Sequence, residues 1–295
     1  MLKHYFKIKI LASTLLLWST YSHAQFNKHL VITEMNEMRA DSLNHIDSIT
    51  INNGMYSIWN SGAISYQSVI NNLDHMLLGD CHLAVFNDSL EYGVVIDNEG
   101  NSYRTIAIGN QVWMAENLKT SHFNNGDPIE IITDDTEWSS ATAPACCSIL
   151  NANDYDCPYG KLYNRYTVFD SRGVCPAGFH IPTQAEWDEL VLFCDPGAIV
   201  TNYGGQNQSE IAGAFLKSIG NLNWADNFTS TNSTGFSAVG ASDRYSGFGY
   251  IDNFHDISGF YESSGYYRYI FGYGSHLQRW MAWAHYGLSI RCIQD

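Results

Sequence analysis

The segment Gly173-Val-Cys175-Pro-Ala-Gly-Phe-His180-Ile-Pro182-Thr-Gln-Ala-Glu186-Trp187-Asp-Glu-Leu190 constrains the fold more than any other part of this chain. It places a cysteine, a Pro/Gly loop and the start of an amphipathic helix in direct succession. Thr183 stands three residues before Glu186, the spacing of a capping box, in which each side chain accepts the other residue's backbone N–H. Trp187, Leu190, Val191 and Cys194 then recur at i, i+3, i+4 and i+7 and share one helical face. Asp195-Pro196-Gly197 ends the run. Another cysteine, Cys292, lies in the last segment, Leu288-Ser-Ile-Arg291-Cys292. Cysteines at a helix entry and at the far end suit a compact exported domain closed near both ends.

Export is expected from the first 24 residues. They run basic (Lys3, Lys7, Lys9), then apolar (Ile10 to Trp18), then small up to Ala24, the layout of a cleaved signal peptide. The apolar run is short for a bilayer crossing, and no later stretch is longer, so no membrane span is expected after cleavage. The expected location is secreted or cell-surface. Residues 1–24 hold three Lys and no acid, so the remainder carries 12 basic and 30 acidic residues, net −18. Such a surface repels nucleic acid and anionic lipid. With 14% aromatic residues and 24 Gly, the composition is that of strands and loops around a core.

The seven cysteines stand at 81, 146, 147, 157, 175, 194 and 292. An exported chain can oxidise them, and an odd number leaves at least one outside an intrachain bridge. Cys157 is the nearest partner for Cys147 across a short polar loop, and Cys147–Cys157 is a candidate bridge beside Cys175 and Cys292. Spacing alone does not fix the pairing. Zinc is the weaker alternative, because no histidine stands at finger spacing from Cys146, Cys147 and Cys157.

The texture changes near residue 93. Residues 25–93 are polar and loosely periodic, with Ile32, Met35, Leu43, Ile46 and Ile49 spaced for one helical face, and Val69 to Leu78 apolar enough for another helix. The expectation is a partly helical stalk or attachment segment. Residues 92–114 alternate and turn at Gly109-Asn110, which predicts a β-hairpin. Ile129 to Ile132 predicts a short strand. Ser209 is placed to cap a second helix, with Ile211, Ala214, Phe215 and Ser218 on one face and Gly220 at its end. Strands are predicted at Gly235–Val239, Tyr266–Phe271, Trp280–Trp283 and Leu288–Cys292. Two helices between sets of short, glycine- and aromatic-rich antiparallel strands make an α+β domain.

Five ordered blocks carry a family resemblance: Tyr103 to Lys119, Tyr159-Gly-Lys-Leu-Tyr163, Cys175 to Trp187, Gly235-Phe-Ser-Ala238 and Ser289-Ile-Arg-Cys292. Together they resemble the Fibrobacter succinogenes major paralogous domain, over residues 94–295. The chain departs from it in having Phe179 where the family has Trp, and Phe260-Tyr-Glu-Ser-Ser264 where an aromatic-Trp-Ser-Ser-Thr segment is usual. The resemblance implies a C-type-lectin-like fold, shared with formylglycine-generating enzymes, in exported or surface proteins of bacteria whose molecular function is unassigned. It also implies a Cys175–Cys292 bridge, because in such folds the terminal strand returns beside the first helix.

Formylglycine-generating chemistry needs a redox-active, copper-binding cysteine pair. No cysteine here aligns with that pair by motif, so an oxidase is ranked low. Two acidic groups, Asp134/Asp135/Glu137 and Asp252/His255/Asp256/Glu262, lie in polar loops and are expected to be solvated. The serine elbow, the zinc-protease helix and the phosphate loop are absent. No catalytic residue and no cofactor is expected. Ca2+ suits the acidity but has no motif, since Asn223-Trp-Ala-Asp226-Asn227 only faintly resembles a lectin calcium site. The histidines lack metal spacing, and His180 is expected to bond within its own loop. What remains is binding. Flat rings among short polar residues suit sugars, although most belong in a core. Tyr245, Phe248, Tyr250, Tyr266 and Tyr273 are the rings expected at the surface. The leading expectation is a non-catalytic module for a glycan or a surface protein. The alternative is a display or matrix protein attached through residues 25–93.

Overall fold

The computed structural model describes residues 86–201, 206–220, 223–224, 229–245, 249–250 and 256–295, together with the backbone of six strands between Lys28 and Asp80. The expected signal peptide lies outside the described residues. The chain forms two compact units, Met1–Leu83 and Ala84–Asp295.

In the first unit the six strands are β1 (Lys28–Glu34), β2 (Glu37–Ser42), β3 (Ser48–Asn52), β4 (Met55–Asn60), β5 (Ala63–Val69) and β6 (Leu73–Asp80). They form two three-stranded sheets, ordered β2-β1-β6 and β3-β4-β5, antiparallel throughout. The expected helices over Ile32–Ile49 and Val69–Leu78 are corrected here. Val31-Ile-Thr33 and Ile49-Thr-Ile51 are β-branched runs, stiff at χ1, which crowd a helix and suit a pleated strand.

The second unit opens with β7 (Gly93–Ile96), β8 (Ser102–Ile108) and β9 (Gln111–Met114). The expected hairpin is thus a three-stranded meander. Asp97 shapes its first turn by accepting from the backbone N–H groups of Glu99 and Asn101. Gly109, at φ +61°, makes the second, where Ile108 pairs with Gln111. There follow β10 (Glu130–Ile131), α1 (Asp135–Ser140), β11 (Ala145–Ser148), α2 (Asp156–Tyr159), β12 (Lys161–Tyr163), α3 (Arg165–Val168), β13 (Phe179–His180) and α4 (Gln184–Cys194). The last part contains β14 (Gln206–Ser209), α5 (Ala212–Leu216), β15 (Arg244–Tyr245), β16 (Gly249–Tyr250), β17 (Ile257–Tyr261), β18 (Tyr266–Phe271), β19 (Leu277–Met281) and β20 (Ile293–Gln294). The main sheets are β13-β20-β9-β8-β7 and β14-β19-β18-β17, with a smaller β10-β11-β12 sheet and the β15-β16 pair. The unit is sheet-rich α+β, as expected.

Helix α4 forms as its sequence dictates. Thr183 and Glu186 complete the capping box, and Trp187, Leu190, Val191 and Cys194 are its buried residues. Trp187 packs on Trp113 of β9 at 4.9 Å between ring centroids and on Phe236 and Phe260 at 5.9 Å each. Ile270 and Leu277 bring the four-stranded sheet into the same core. The last strand slots between two earlier ones, His180 pairing with Ile293 and Ile293 with Trp113. That return sets Cys175 beside Cys292, bonded at 2.02 Å with Cα atoms 5.9 Å apart.

Two local expectations are corrected. The second helix is shorter than expected and buries Ala212, Gly213 and Leu216 rather than the Ile211 face. Ile211 is exposed, while Ser209 does cap, its Oγ accepting from the N–H of Ile211 and of Ala212. Gly235–Val239 is not a strand, because Ser237 has φ +54° and Asn232 accepts its N–H. Leu288–Cys292 holds by isolated bridges, Leu288 to Tyr163 and Ser289 to Phe260.

Candidate functional site

The period of two along β18 sorts its residues onto two faces of the four-stranded sheet. Arg268 and Ile270 face the interior with Leu277 and Arg279 of β19. Tyr267, Tyr269 and Phe271 face the other way, opposite Trp280 and Gln278 in the register Tyr267↔Trp280 and Tyr269↔Gln278. Their rings form a continuous row, Tyr267 to Tyr269 at 5.5 Å and Tyr269 to Phe271 at 4.8 Å. Tyr286 closes one end, 5.9 Å from Tyr267. Gly259 on β17 leaves room beside this row for Leu288, because a Cβ there would lie 2.6 Å from Leu288 Cδ2. The row, with Trp280, Gln278, Tyr286 and Asp243, lines a cleft of about 360 Å³. Trp280 is 40% exposed, and its indole N–H donates to Gln278 Oε1 at 2.8 Å.

Asp243 is the polar anomaly of this cleft. It is 2% exposed, and among the described residues its carboxylate meets a long 3.4 Å bond from the Tyr269 hydroxyl to Oδ2 and its own backbone N–H, while Oδ1 meets no donor from another residue. Burial pushes its carboxyl up to about 6. The unfolded carboxyl titrates near 3.9. Between these values the native state holds more protons than the unfolded one, so this group's contribution to stability falls as pH rises from about 4 through about 6. Two units correspond to at most roughly 3 kcal/mol. Asp243→Asn is therefore expected to melt above the parent protein near pH 7 and level with it near pH 4. Thermal unfolding at both pH values checks this, and an equal gain at both would contradict it.

The opposite face carries a paired carboxylate. Glu262, fully buried, accepts from Arg268 Nη1, from Arg279 Nη2 at 2.5 Å and from the Ser264 hydroxyl at 2.5 Å. Burial alone would raise its pKa, but Arg279, Arg268 and Ser264 outweigh burial and hold the carboxyl below its ordinary range. Arg268 reaches on to Asp188 at 2.7 Å and Arg279 to Gln184 at 2.9 Å, both on α4. Glu262 was expected in a solvated acidic group, and that expectation is corrected: the arginines one and two strands away draw it inside. Asp252 and His255 of the same group lie outside the described residues.

The other sequence candidates fall as follows. Cys175 and Cys292 are joined. Cys157 is disulfide-bonded, whereas Cys146, Cys147 and Cys194 are buried thiols, so the candidate Cys147–Cys157 bridge is corrected. Cys147 lies opposite Leu162 across β11–β12 and packs with Ile132 and Trp138, which turns its sulfur into an apolar cluster. Burial pushes the Cys146 and Cys194 thiols up to about 12. His180 bonds beyond its loop, to Asp295 at 2.7 Å and Glu186 at 2.9 Å. Burial lowers its basicity, but these two carboxylates outweigh that and hold it above its ordinary value. Asp134 caps α1. Asn223 and Trp224 are buried, and Asp226 lies outside the described residues. Among the described residues no group of three or more His, Cys, Asp or Glu is arranged to hold a metal. No described helix is long and apolar enough to cross a membrane.

Of the rings expected at the surface, Tyr273 is exposed and Tyr266 half-buried, while the side chains of Tyr245, Phe248 and Tyr250 lie outside the described residues. The cleft residues Asp243, Tyr269, Phe271, Gln278, Trp280 and Tyr286 were not singled out from sequence. The alternation Tyr267-x-Tyr269-x-Phe271 was the available signal for two of them, Tyr269 and Phe271. Asp243 had none, because only the fold brings it under β18.

The Ala84–Asp295 unit is thus a disulfide-closed, sheet-rich α+β domain with an aromatic cleft on one sheet face. Residues 106–294 match the model of the Fibrobacter succinogenes major domain, and the chain belongs to that family. No curated protein and no solved structure matches it.

Proposed function

We propose that this chain is an exported, non-catalytic module with a C-type-lectin-like fold, secreted or held at the cell surface, whose aromatic cleft binds a glycan. One observation carries the reading: a row of rings packed edge to face on one sheet face, a half-exposed Trp280, and polar groups at Gln278 and Asp243. Pyranose rings stack on flat aromatic faces while short polar side chains bond their hydroxyls. The fold assignment is supported by the bridge from the entry of α4 to the terminal strand. A non-catalytic role is supported by the cysteines. Two are engaged in that bridge, and thiols pushed up to about 12 are poor nucleophiles near neutral pH.

A glycan array followed by polysaccharide pull-down tests the reading. The protein is expected to retain at least one saccharide class, and Trp280→Ala to weaken it about tenfold, the equivalent of one lost stacking contact. Trp280 lies outside the buried core, so the variant keeps the parent melting temperature. Retention of no saccharide, with stable association through residues 25–93, would favour the display or matrix alternative.

A further inference from the structure

The cleft is unbalanced in charge. Its lining contributes one carboxylate, Asp243, together with Tyr267, Tyr269 and Tyr286, and among the described residues it contributes no lysine, arginine or histidine. The contrast with Glu262 is direct. Both are buried acids of the same sheet region, but Glu262 faces two guanidinium groups, whereas among the described residues Asp243 faces one distant phenol and its own backbone N–H. The neighbouring Arg244 turns its guanidinium away, to the carbonyls of Ile132 and Thr133 and to Asp135 at 2.7 Å. A buried carboxylate without a cationic partner is costly, and a fold that retains one invites a ligand that supplies the cation. Aromatic walls around such a carboxylate favour the same ligand, since ring faces attract ammonium groups as well as sugar C–H faces.

We infer that the ligand class of this cleft is an amine-bearing sugar, its ammonium paired with Asp243 and its pyranose ring laid on Trp280 and the β18 tyrosines. This inference rests on the glycan-binding reading above and narrows it. A neutral sugar meets the same rings but leaves the Asp243 charge unpaired. An N-acetylated one replaces the cation by a neutral amide, roughly halving the strength of the bond it makes.

Calorimetric titration near neutral pH separates these cases, with the glucosamine hexamer (chitosan type), the N-acetylglucosamine hexamer (chitin type) and cellohexaose as probes. The glucosamine hexamer is expected to bind at least about tenfold more tightly than the other two. Asp243→Asn, which keeps side-chain volume, is expected to erase that preference while Tyr269→Phe, which keeps the ring, retains it. Equal affinity for the three oligomers in the parent protein overturns the amine assignment and leaves glycan binding standing. A preference that survives Asp243→Asn also overturns it, as does binding of poly-lysine in place of the glucosamine hexamer. Binding of no oligosaccharide removes the glycan-binding reading itself. The parent protein's preference is read without any variant, so a misfolded Asp243→Asn does not spare the inference.

Discussion

Cys175→Ser combined with Cys292→Ser will lower stability by about 4 to 5 kcal/mol, the loop-closure value for a bridge of this span. The two cysteines are 117 residues apart in sequence, and the bond holds the entry of α4 against the last strand. Without it the unfolded chain regains the entropy of a loop that includes α4, α5 and the four-stranded sheet. The folded state keeps other ties at the same place. His180 still pairs with Ile293, the Asp295 N–H still donates to the Gly178 carbonyl, and Met114 still donates to the Cys292 carbonyl. The double variant is therefore expected to fold, with a lower urea midpoint and a lower yield. Native protein that alkylates at both positions without prior reduction would disprove the bridge.

Glu262→Ala will cost about 3–5 kcal/mol, the usual result of stranding buried charges. The carboxylate is shared by two guanidinium groups that are themselves buried, and it stitches β18 and β19 to α4 through Asp188 and Gln184. Its removal leaves Arg268 and Arg279 repelling each other in a low-dielectric interior. Glu262→Gln keeps the volume and one acceptor and is expected to fall between the parent and Ala. Chemical denaturation of the three proteins measures the series. A change within about 0.5 kcal/mol for Ala, as for a solvated surface acid, would mean that the network does not hold the sheet to the helix.

Glu262 is an interior acid with a surface-like local sequence. In sequence it sits in Phe260-Tyr-Glu-Ser-Ser264, among small polar residues, and nothing local marks it as interior. Its burial comes from Arg268 and Arg279, placed across two strands by hydrogen-bond register. The cleft shows the same limit. Tyr267, Tyr269 and Phe271 share a face by simple alternation, yet whether that face is core or surface depends on which side α4 occupies. Asp243 enters through the Ser242↔Ser258 bridge, a contact that no periodicity contains. In the first unit, local spacing fitted a helix while the β-branched runs fitted strands, and pairing between strands decided for the latter.

By itself the sequence determined what depends on neighbours a few residues apart. The Thr183–Glu186 box, the Trp187–Cys194 stripe and the Gly109 turn are encoded within one or two turns of chain, so their residues specify them wherever the domain folds. Only the tertiary structure decided which cysteines meet, which acid is paired and which is left alone, and which row of rings faces outward. Those outcomes turn on strand order and on the return of the last strand, which joins segments as far as 117 residues apart in the chain.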